Sequence, residues 1–225
     1  VGLNICIDIY IESNMAASKK TIILYGDMMS QPCRAVSWVL TFGGIEHKMQ
    51  LTRIMNADHR TPEYKKINPF CKIPTLQVDD QYVWESHAQM RLLCDLYKQQ
   101  QLYPVEPMTR VKVDSYLDWH HHNIRSPLFE YFKVKFLKVG NAEKLPQLEE
   151  DVSKALYLFQ KYWLSEDRKF ITGDTATIAD ISCFCEITQL WLVKFDLSKF
   201  PLIKRWMMDM EQVKGFKESH AIIYR

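Results

Sequence analysis

Residues 30–33 read Ser-Gln-Pro-Cys and place a hydroxyl where a strand is expected to pass into a helix. The apolar, β-branched run 21–25 predicts a buried strand, and apolar residues at helical spacing after Pro32 predict a helix. A Cys-x-x-Cys motif at such a helix start attacks disulfides through its first cysteine. Because Ser30 cannot form a mixed disulfide, its hydroxyl can instead donate a hydrogen bond to a sulfur anion that a ligand brings.

Stabilising a thiolate at this position needs only a modest energy. A free thiol has a pKa of about 8.5, and lowering it by about two units requires roughly 2.7 kcal/mol in favour of the thiolate. One charge-assisted hydrogen bond together with a helix N-terminus can provide this amount. The alternative is that Ser30 is a plain helix cap whose hydroxyl accepts from a backbone N–H group, and the local sequence alone favours that role.

Two further segments have features of a peptide-binding surface. Ile73-Pro74 precedes a predicted strand at 75–78, and a cis bond there would leave the backbone of Ile73 open to a peptide ligand. A trans proline at a strand start is the ordinary alternative. Glu85-Ser86 opens the next predicted helix, whose N-terminus can bind a carboxylate while the glutamate holds an ammonium group. A simple cap with an acidic neighbour explains the same pair.

The elements that must hold these segments follow the order β-α-β-α-β-β-α over residues 21–97. A parallel βαβ unit followed by a hairpin unit is the thioredoxin-like plan, so an α/β domain is expected over residues 21–98. The polar segment 98–106 is expected to be a linker. Apolar stripes at spacings of three and four then predict an all-α domain over residues 107–225.

Local signals predict where some helices begin and break. Ser86-x-x-Gln89 and Thr177-x-x-Asp180 both have the form of a capping box. Pro127 is expected to kink or interrupt the first long segment of the all-α domain.

The composition is that of an ordinary globular protein. Of the 225 residues, 47% are hydrophobic and 25% are charged, with a net charge of +2. No basic excess indicates nucleic acid, and no apolar stretch is long enough to span a membrane, so neither partner is expected. The six cysteines form no Cys-x-x-Cys pair, which favours a reduced, cytoplasmic protein.

Residues 1–20 are expected to be an extension outside the fold. The chain starts at Val1, and residues 15–18 read Met-Ala-Ala-Ser, like an ordinary translation start. The preceding residues are therefore interpreted as disordered or added by cloning. The alternating stretch 5–11 could alternatively form an extra strand.

Five sequence strings together resemble the cytosolic glutathione transferases. They extend the similarity over about residues 21–220, and the strings at 30–36 and 116–121 look most like the theta class, which is understood to activate glutathione with a serine. The strings are Ser-Gln-Pro-Cys-Arg-Ala-Val (30–36), Asn-Pro-Phe-Cys-Lys-Ile-Pro-Thr-Leu (68–76), Trp-Glu-Ser (84–86), Tyr-Leu-Asp-Trp-His-His (116–121) and Phe-Ile-Thr-Gly-Asp-Thr-Ala-Thr-Ile-Ala-Asp-Ile (170–181).

The resemblance implies a detoxification enzyme that adds the thiolate of reduced glutathione to small hydrophobic electrophiles. Halides and organic hydroperoxides are the implied substrates, glutathione is a co-substrate, and no further cofactor is implied. A homodimer is also implied. Some theta-like proteins carry a long C-terminal segment over the active site, and because this sequence stops at Arg225 a more open pocket is expected. The alternative function is a non-catalytic ligand-binding or protein-interaction module of the same fold.

The resemblance also implies a role for each site residue. Ser30 would stabilise the glutathione thiolate, and Arg125 would steady the departing anion. Met28 and Met29 would line the electrophile pocket as adaptable walls, with core packing as the alternative. The residues implied to bind glutathione are His59, Lys72, Ile73, Pro74, Glu85 and Ser86.

Several of these residues also have plain alternatives. His59 and Lys72 can be solvated surface residues, and Arg125 can be a surface arginine on a long helix. No metal site is expected at the three histidines 120–122, because successive helical residues point about 100° apart.

Overall fold

The computed structural model describes residues 20–223, and its front part is a four-stranded sheet with helices. The predicted order β-α-β-α-β-β-α is confirmed, with a short 3-10 turn at Asp58–Arg60 before the second helix. In chain order the elements are β1 (Ile22–Gly26), α1 (Gln31–Phe42), β2 (Lys48–Leu51), α2 (Pro62–Ile67), β3 (Thr75–Val78), β4 (Gln81–Val83) and α3 (Ser86–Leu96).

The sheet has the strand order β2-β1-β3-β4. β1 pairs with β2 in parallel, and β3 runs antiparallel to both β1 and β4. A parallel pair needs a crossover connection, and α1 provides it. In the register, Leu24 lies opposite Met49 on one side and Leu76 on the other. The chain therefore leaves the carboxyl end of β1 directly into the turn that carries Ser30.

The rest of the described chain is predominantly helical, which confirms the predicted all-α part. Among the described residues, no helix is both long and apolar enough to cross a lipid bilayer. The helices are α4 (Pro107–His120), α5 (Ser126–Lys135), α6 (Leu145–Trp163), α7 (Ile178–Ile187), α8 (Gln189–Leu192), α9 (Pro201–Met210) and α10 (Phe216–His220).

The predicted division into residues 21–98 and 107–225 stays a prediction. The extension predicted for residues 1–20 lies outside the described residues except for Lys20, whose ammonium lies 3.1 Å from Asp79.

The helix α4 widens into a π-helical turn, His121–Arg125, before α5 begins. Pro127 follows in the first turn of α5 and has no N–H group to donate to the carbonyl one turn earlier, so the regular ladder cannot continue through it. The interruption predicted from Pro127 is therefore present, and it takes the form of this π turn. Arg125 is the last residue of the turn.

One of the two predicted capping boxes is wrong. Ser86 is the first residue inside α3, and the cap position belongs to Glu85, which has a φ of 62°. Gln89 does not reach back to the helix start, because its side-chain amide donates to the carbonyls of Pro74 at 3.0 Å and Val83 at 2.8 Å. A buried amide that satisfies two loop carbonyls is not available for a cap.

The second box, at the start of α7, is confirmed. Asp180 accepts from the backbone N–H of Thr177 at 2.9 Å and also from that of Ile171 at 2.8 Å. Its carboxylate further accepts from the Trp206 indole at 3.0 Å. Asp180 is fully buried, so burial raises its pKa while these hydrogen bonds oppose the rise.

Replacing Asp180 with alanine is expected to lower the free energy of unfolding by about 3 kcal/mol. The substitution removes a helix cap and leaves buried N–H donors without an acceptor, and each loss costs about 1 kcal/mol or more. Urea unfolding at one fixed protein concentration measures the change. The control is Asp174→Ala, which removes an exposed carboxylate from the preceding loop and should cost less than about 0.5 kcal/mol. Equal losses for the two variants would contradict the role given to Asp180.

Candidate functional site

A cavity of about 170 Å³ lies between the cis-proline loop, the start of α3 and the π turn. Five of the six predicted glutathione-binding residues line it, together with the predicted catalytic Arg125. Its described wall consists of Pro32, Asn68, Phe70, Lys72, Ile73, Pro74, Trp84, Glu85, Ser86, His121 and Arg125.

Two buried polar side chains hold the loop before Pro74 from the interior of the protein. The carbonyl of Lys72 accepts from the Tyr64 hydroxyl at 2.8 Å and from the Asn68 amide at 2.8 Å. Both side chains also contact the Thr75 hydroxyl. Burial raises the pKa of Tyr64 to about 12, so it remains a neutral hydroxyl at neutral pH. The loop is therefore fixed while the Lys72 side chain stays exposed.

The peptide bond between Ile73 and Pro74 is cis, as the resemblance implied. Across residues 20–223, no backbone hydrogen bond uses the N–H or the C=O group of Ile73. These groups belong to a residue in the cavity wall, so they can pair with an extended peptide.

The start of α3 faces the same cavity because Gln89 joins the two segments. Its contacts with Pro74 and Val83 hold the cis-proline loop beside the end of β4, and Glu85 and Ser86 follow directly. Phe70 and Trp84 meet edge to face at 5.4 Å on the rim. Neither aromatic residue was predicted to line a site, although both lie within strings that carry the resemblance.

Ser30 begins α1 in extended backbone conformation, and its hydroxyl makes no cap hydrogen bond within the described residues. Its backbone N–H donates to Asp27 at 2.9 Å and its carbonyl accepts from Arg34 at 3.1 Å. The side-chain cap that was the alternative role of Ser30 is therefore not formed. Ser30 is 7% exposed, and it is not among the described residues that line the cavity, whereas Pro32 is.

Cys33 is an unreactive thiol. Burial raises its pKa to about 11, and a hydrogen bond with Ser30 only partly opposes this. Gly26 lies against it, since an added Cβ atom there would come within 2.7 Å of the Cys33 sulfur. A neutral, close-packed thiol does not act as a nucleophile near neutral pH.

The turn that carries the two predicted pocket methionines is fixed by Arg34, which sequence analysis missed. Its guanidinium, 1% exposed, donates to the carbonyls of Met28 at 3.0 Å and Met29 at 3.2 Å. It also donates to the carbonyl of Cys185 in α7 at 2.9 Å. Among the described residues of the cavity wall, neither methionine occurs, and Met29 is 42% exposed.

His59 is the one predicted glutathione-binding residue that the described cavity wall does not include. It lies half-buried in the 3-10 turn, and its buried Nδ1 atom has no hydrogen-bond partner among the described residues. Burial lowers its pKa, and the neighbouring Arg60 lowers it further. The imidazole is therefore largely neutral at pH 7 and offers a hydrogen bond rather than a charge.

Arg125 belongs to a chain of polar contacts that crosses between the two parts of the protein. Its Nη1 atom lies 2.6 Å from the Glu186 carboxylate, and the amide of Gln189 donates to the same carboxylate at 2.7 Å. Gln31, next to Ser30, donates to Gln189 at 2.6 Å. These partners were not predicted from the sequence, although the polar residues on the otherwise apolar segment 178–193 were a signal for them.

Three histidines form a cluster beside this chain, in which His87 and His120 are buried and His121 is half-buried. The rings of His87 and His121 lie 4.3 Å apart, those of His87 and His120 lie 5.4 Å apart, and His87 contacts the Ser182 hydroxyl at 2.7 Å. Burial lowers the pKa of all three, and the neighbouring histidines together with Arg125 lower it further. Among the described residues, no group of three histidines, cysteines or carboxylates is arranged to hold a metal ion.

The stability of the protein is expected to fall as the pH drops below about 6.5. Unfolded histidines have a pKa of about 6.5, so below that pH the unfolded state binds protons that the folded cluster does not. His87→Gln is expected to reduce the slope of unfolding free energy against pH by up to about 1.4 kcal/mol per pH unit.

Urea unfolding between about pH 7.5 and pH 5.5 measures this slope. The control is His122→Gln at an exposed position of the π turn, which should keep the wild-type slope. An unchanged slope in His87→Gln would show that His87 does not contribute to the pH dependence.

A thioredoxin-like unit with a cis-proline loop, joined to a helical bundle, defines the class of glutathione transferase folds. The sequence profile described as "Glutathione S-transferase, N-terminal domain" matches residues 29–96, and that described as "Glutathione S-transferase, C-terminal domain" matches residues 116–213. The chain is 30% identical over 219 residues to Glutathione S-transferase T1 of Arabidopsis thaliana, covering 90% of this chain and 89% of the relative.

Solved structures agree with this class. Human glutathione transferase theta-2, in complex with glutathione and an unknown ligand, superposes with a TM-score of 0.84 at 27% identity, covering 90% of this chain and 87% of that one. The apo form of human glutathione-S-transferase T1-1 gives a TM-score of 0.85 at 24% identity, covering 90% and 89%. The chain therefore belongs to the glutathione S-transferase family, and the theta-like resemblance read from the sequence is confirmed.

Proposed function

We propose that this protein is an enzyme that conjugates reduced glutathione to small hydrophobic electrophiles, with Ser30 stabilising the thiolate. The observation that carries the proposal is the cavity in which Lys72, Ile73, Pro74, Glu85 and Ser86 come together, in a chain of this family. Glutathione is the co-substrate, and the proposal requires no other cofactor.

The cavity wall offers a complementary group for each part of the tripeptide. The backbone of Ile73 would pair with the cysteinyl unit, since its N–H and C=O groups are not used by other described residues. The γ-glutamyl carboxylate would bind at the start of α3 with Ser86, and the ammonium group would meet Glu85. Lys72 and His59 would receive the glycyl carboxylate, Lys72 through its charge and His59 through a hydrogen bond.

The proposed chemistry begins with loss of the thiol proton to solvent. Ser30 makes no side-chain cap contact, and its hydroxyl would exchange its hydrogen bond with Cys33 for one donated to the resulting thiolate. The sulfur then forms a bond to the electrophilic carbon, and the carbon–halogen bond breaks with its electron pair on the departing halide. Arg125, in the cavity wall, would stabilise that anion.

The substrate range and setting are part of the same proposal. Halides are the main substrates, and organic hydroperoxides are a second class that a glutathione thiolate can reduce. Met28 and Met29 would contact the electrophile from the turn before α1. The protein would act as a homodimeric detoxification enzyme. A cytoplasmic setting fits the five free cysteines of the described chain, which are typical of a reducing compartment.

Ser30→Ala is expected to retain glutathione binding and to lose about 100-fold in kcat/KM for conjugation. The loss corresponds to roughly 2.7 kcal/mol of thiolate stabilisation. Affinity for immobilised glutathione and conjugation of a haloalkane are measured on the same preparations. Ser37→Ala, on the same helix, is the control and should behave as wild type. Equal turnover of Ser30→Ala and wild type would contradict the role given to Ser30. If the wild type turned over no halide or hydroperoxide, a non-catalytic ligand-binding or protein-interaction module would be favoured instead.

Lys72→Met is expected to raise the KM for glutathione about 3- to 10-fold and to leave kcat within about 2-fold, because an exposed charge pair contributes roughly 1 kcal/mol or slightly more to binding. Initial rates at varied glutathione and saturating electrophile separate the two constants. Lys65→Met in α2 removes an exposed charge outside the described cavity wall and should leave both constants unchanged. A fall in kcat with an unchanged KM would contradict a pure binding role for Lys72.

A further inference from the structure

We propose that Glu186 is the positioning residue for the reaction, because it fixes Arg125 and the start of α1 in one hydrogen-bonded relay. The inference rests on the proposed conjugation of glutathione. The relay consists of Gln31, Gln189, Glu186 and Arg125, and it joins the residue after Ser30 to the arginine in the cavity wall.

The carboxylate of Glu186 determines the orientation of both amides. An ionised carboxylate only accepts hydrogen bonds, so the NH₂ group of Gln189 must point to Glu186. The carbonyl oxygen of Gln189 then points to Gln31, and Gln31 must present its own NH₂ group. A single acceptor at position 186 therefore sets the direction of every contact in the relay.

The relay is shielded from water except at its functional end. Gln31, Gln189 and Glu186 are 6%, 0% and 2% exposed, whereas the Arg125 side chain is 29% exposed at the cavity. The guanidinium carries several N–H donors, and the contact with Glu186 uses Nη1. Arg125 can thus keep its position through Glu186 and still donate to a departing anion. It also lies over the Phe129 ring at 5.5 Å, which limits its movement on the other side.

A methionine at position 186 cannot satisfy the same relay. Its side chain is close to glutamate in size, but its thioether is only a weak acceptor. Arg125 and the NH₂ group of Gln189 then both lose the acceptor that positions them. Glu186→Met therefore breaks two contacts, while the size of the side chain is nearly unchanged.

The double variant Glu186→Gln with Gln189→Glu restores a complete set of contacts. The carboxylate at 189 accepts from both Gln31 and the new amide at 186, and the oxygen of that amide accepts from Arg125. The hydrogen bonds that position Arg125 return, although the negative charge lies one side chain further away. This pair of variants separates positioning from the ion pair itself.

The experiment measures conjugation of a matched alkyl chloride and alkyl iodide by wild type and both variants. Glu186→Met is expected to lose about 10-fold in kcat with the chloride and less with the iodide, because the iodide needs less help in leaving. The KM for glutathione should stay within about 2-fold, since among the described residues no hydrogen bond joins Lys72, Glu85 or Ser86 to the relay. The double variant should recover most of the lost kcat.

The control is Asp114→Asn, which breaks another arginine–carboxylate pair between the two parts of the chain, Arg91–Asp114 at 2.7 Å. It should keep the wild-type kcat for both halides. The proposal is overturned if Glu186→Met matches wild type, if the loss is equal for chloride and iodide, or if the double variant is no better than the single one. Failure of wild type itself to conjugate either halide would instead count against the proposed function.

Discussion

The packing of α7 against α1 decides how the other elements of the protein are arranged. All ten residues of α7 are buried, and buried polar groups must find partners within the protein. Asp180 finds its partners in the preceding loop and in Trp206, whereas Glu186 finds them in Arg125 and Gln189. The carbonyl of Cys185 accepts from Arg34. These partners come from both parts of the chain, so satisfying α7 also fixes how the two parts meet.

The same rule shapes the front part of the cavity on a smaller scale. The cis-proline loop has backbone carbonyls that face the interior, and the buried side chains of Tyr64, Asn68 and Gln89 satisfy them. These contacts are all made on the interior side of the loop. The backbone of Ile73 and the side chain of Lys72, on the cavity side, therefore remain available to a ligand. A rigid support beneath an accessible backbone is what a peptide-binding surface requires.

The order of elements could be predicted because it depends on the local spacing of apolar residues. The capping box at Thr177 could be predicted because its two partners lie three residues apart. The contacts that failed prediction depend on residues distant in sequence. Gln89 serves two loop carbonyls rather than its own helix, and Glu186 pairs with a residue 61 positions away. The resemblance located most of the cavity wall. No local sequence pattern predicted that Ser30 and His59 would lie outside the described part of the cavity wall.

The π turn at His121–Arg125 limits which insertions and deletions the chain can tolerate. One residue added to or deleted from a helix rotates all that follows by about 100°. A single-residue indel between α4 and Pro127 would therefore turn the guanidinium of Arg125 away from Glu186 and leave a carboxylate buried without its counterion. The length of this stretch is therefore constrained in addition to the identity of Arg125.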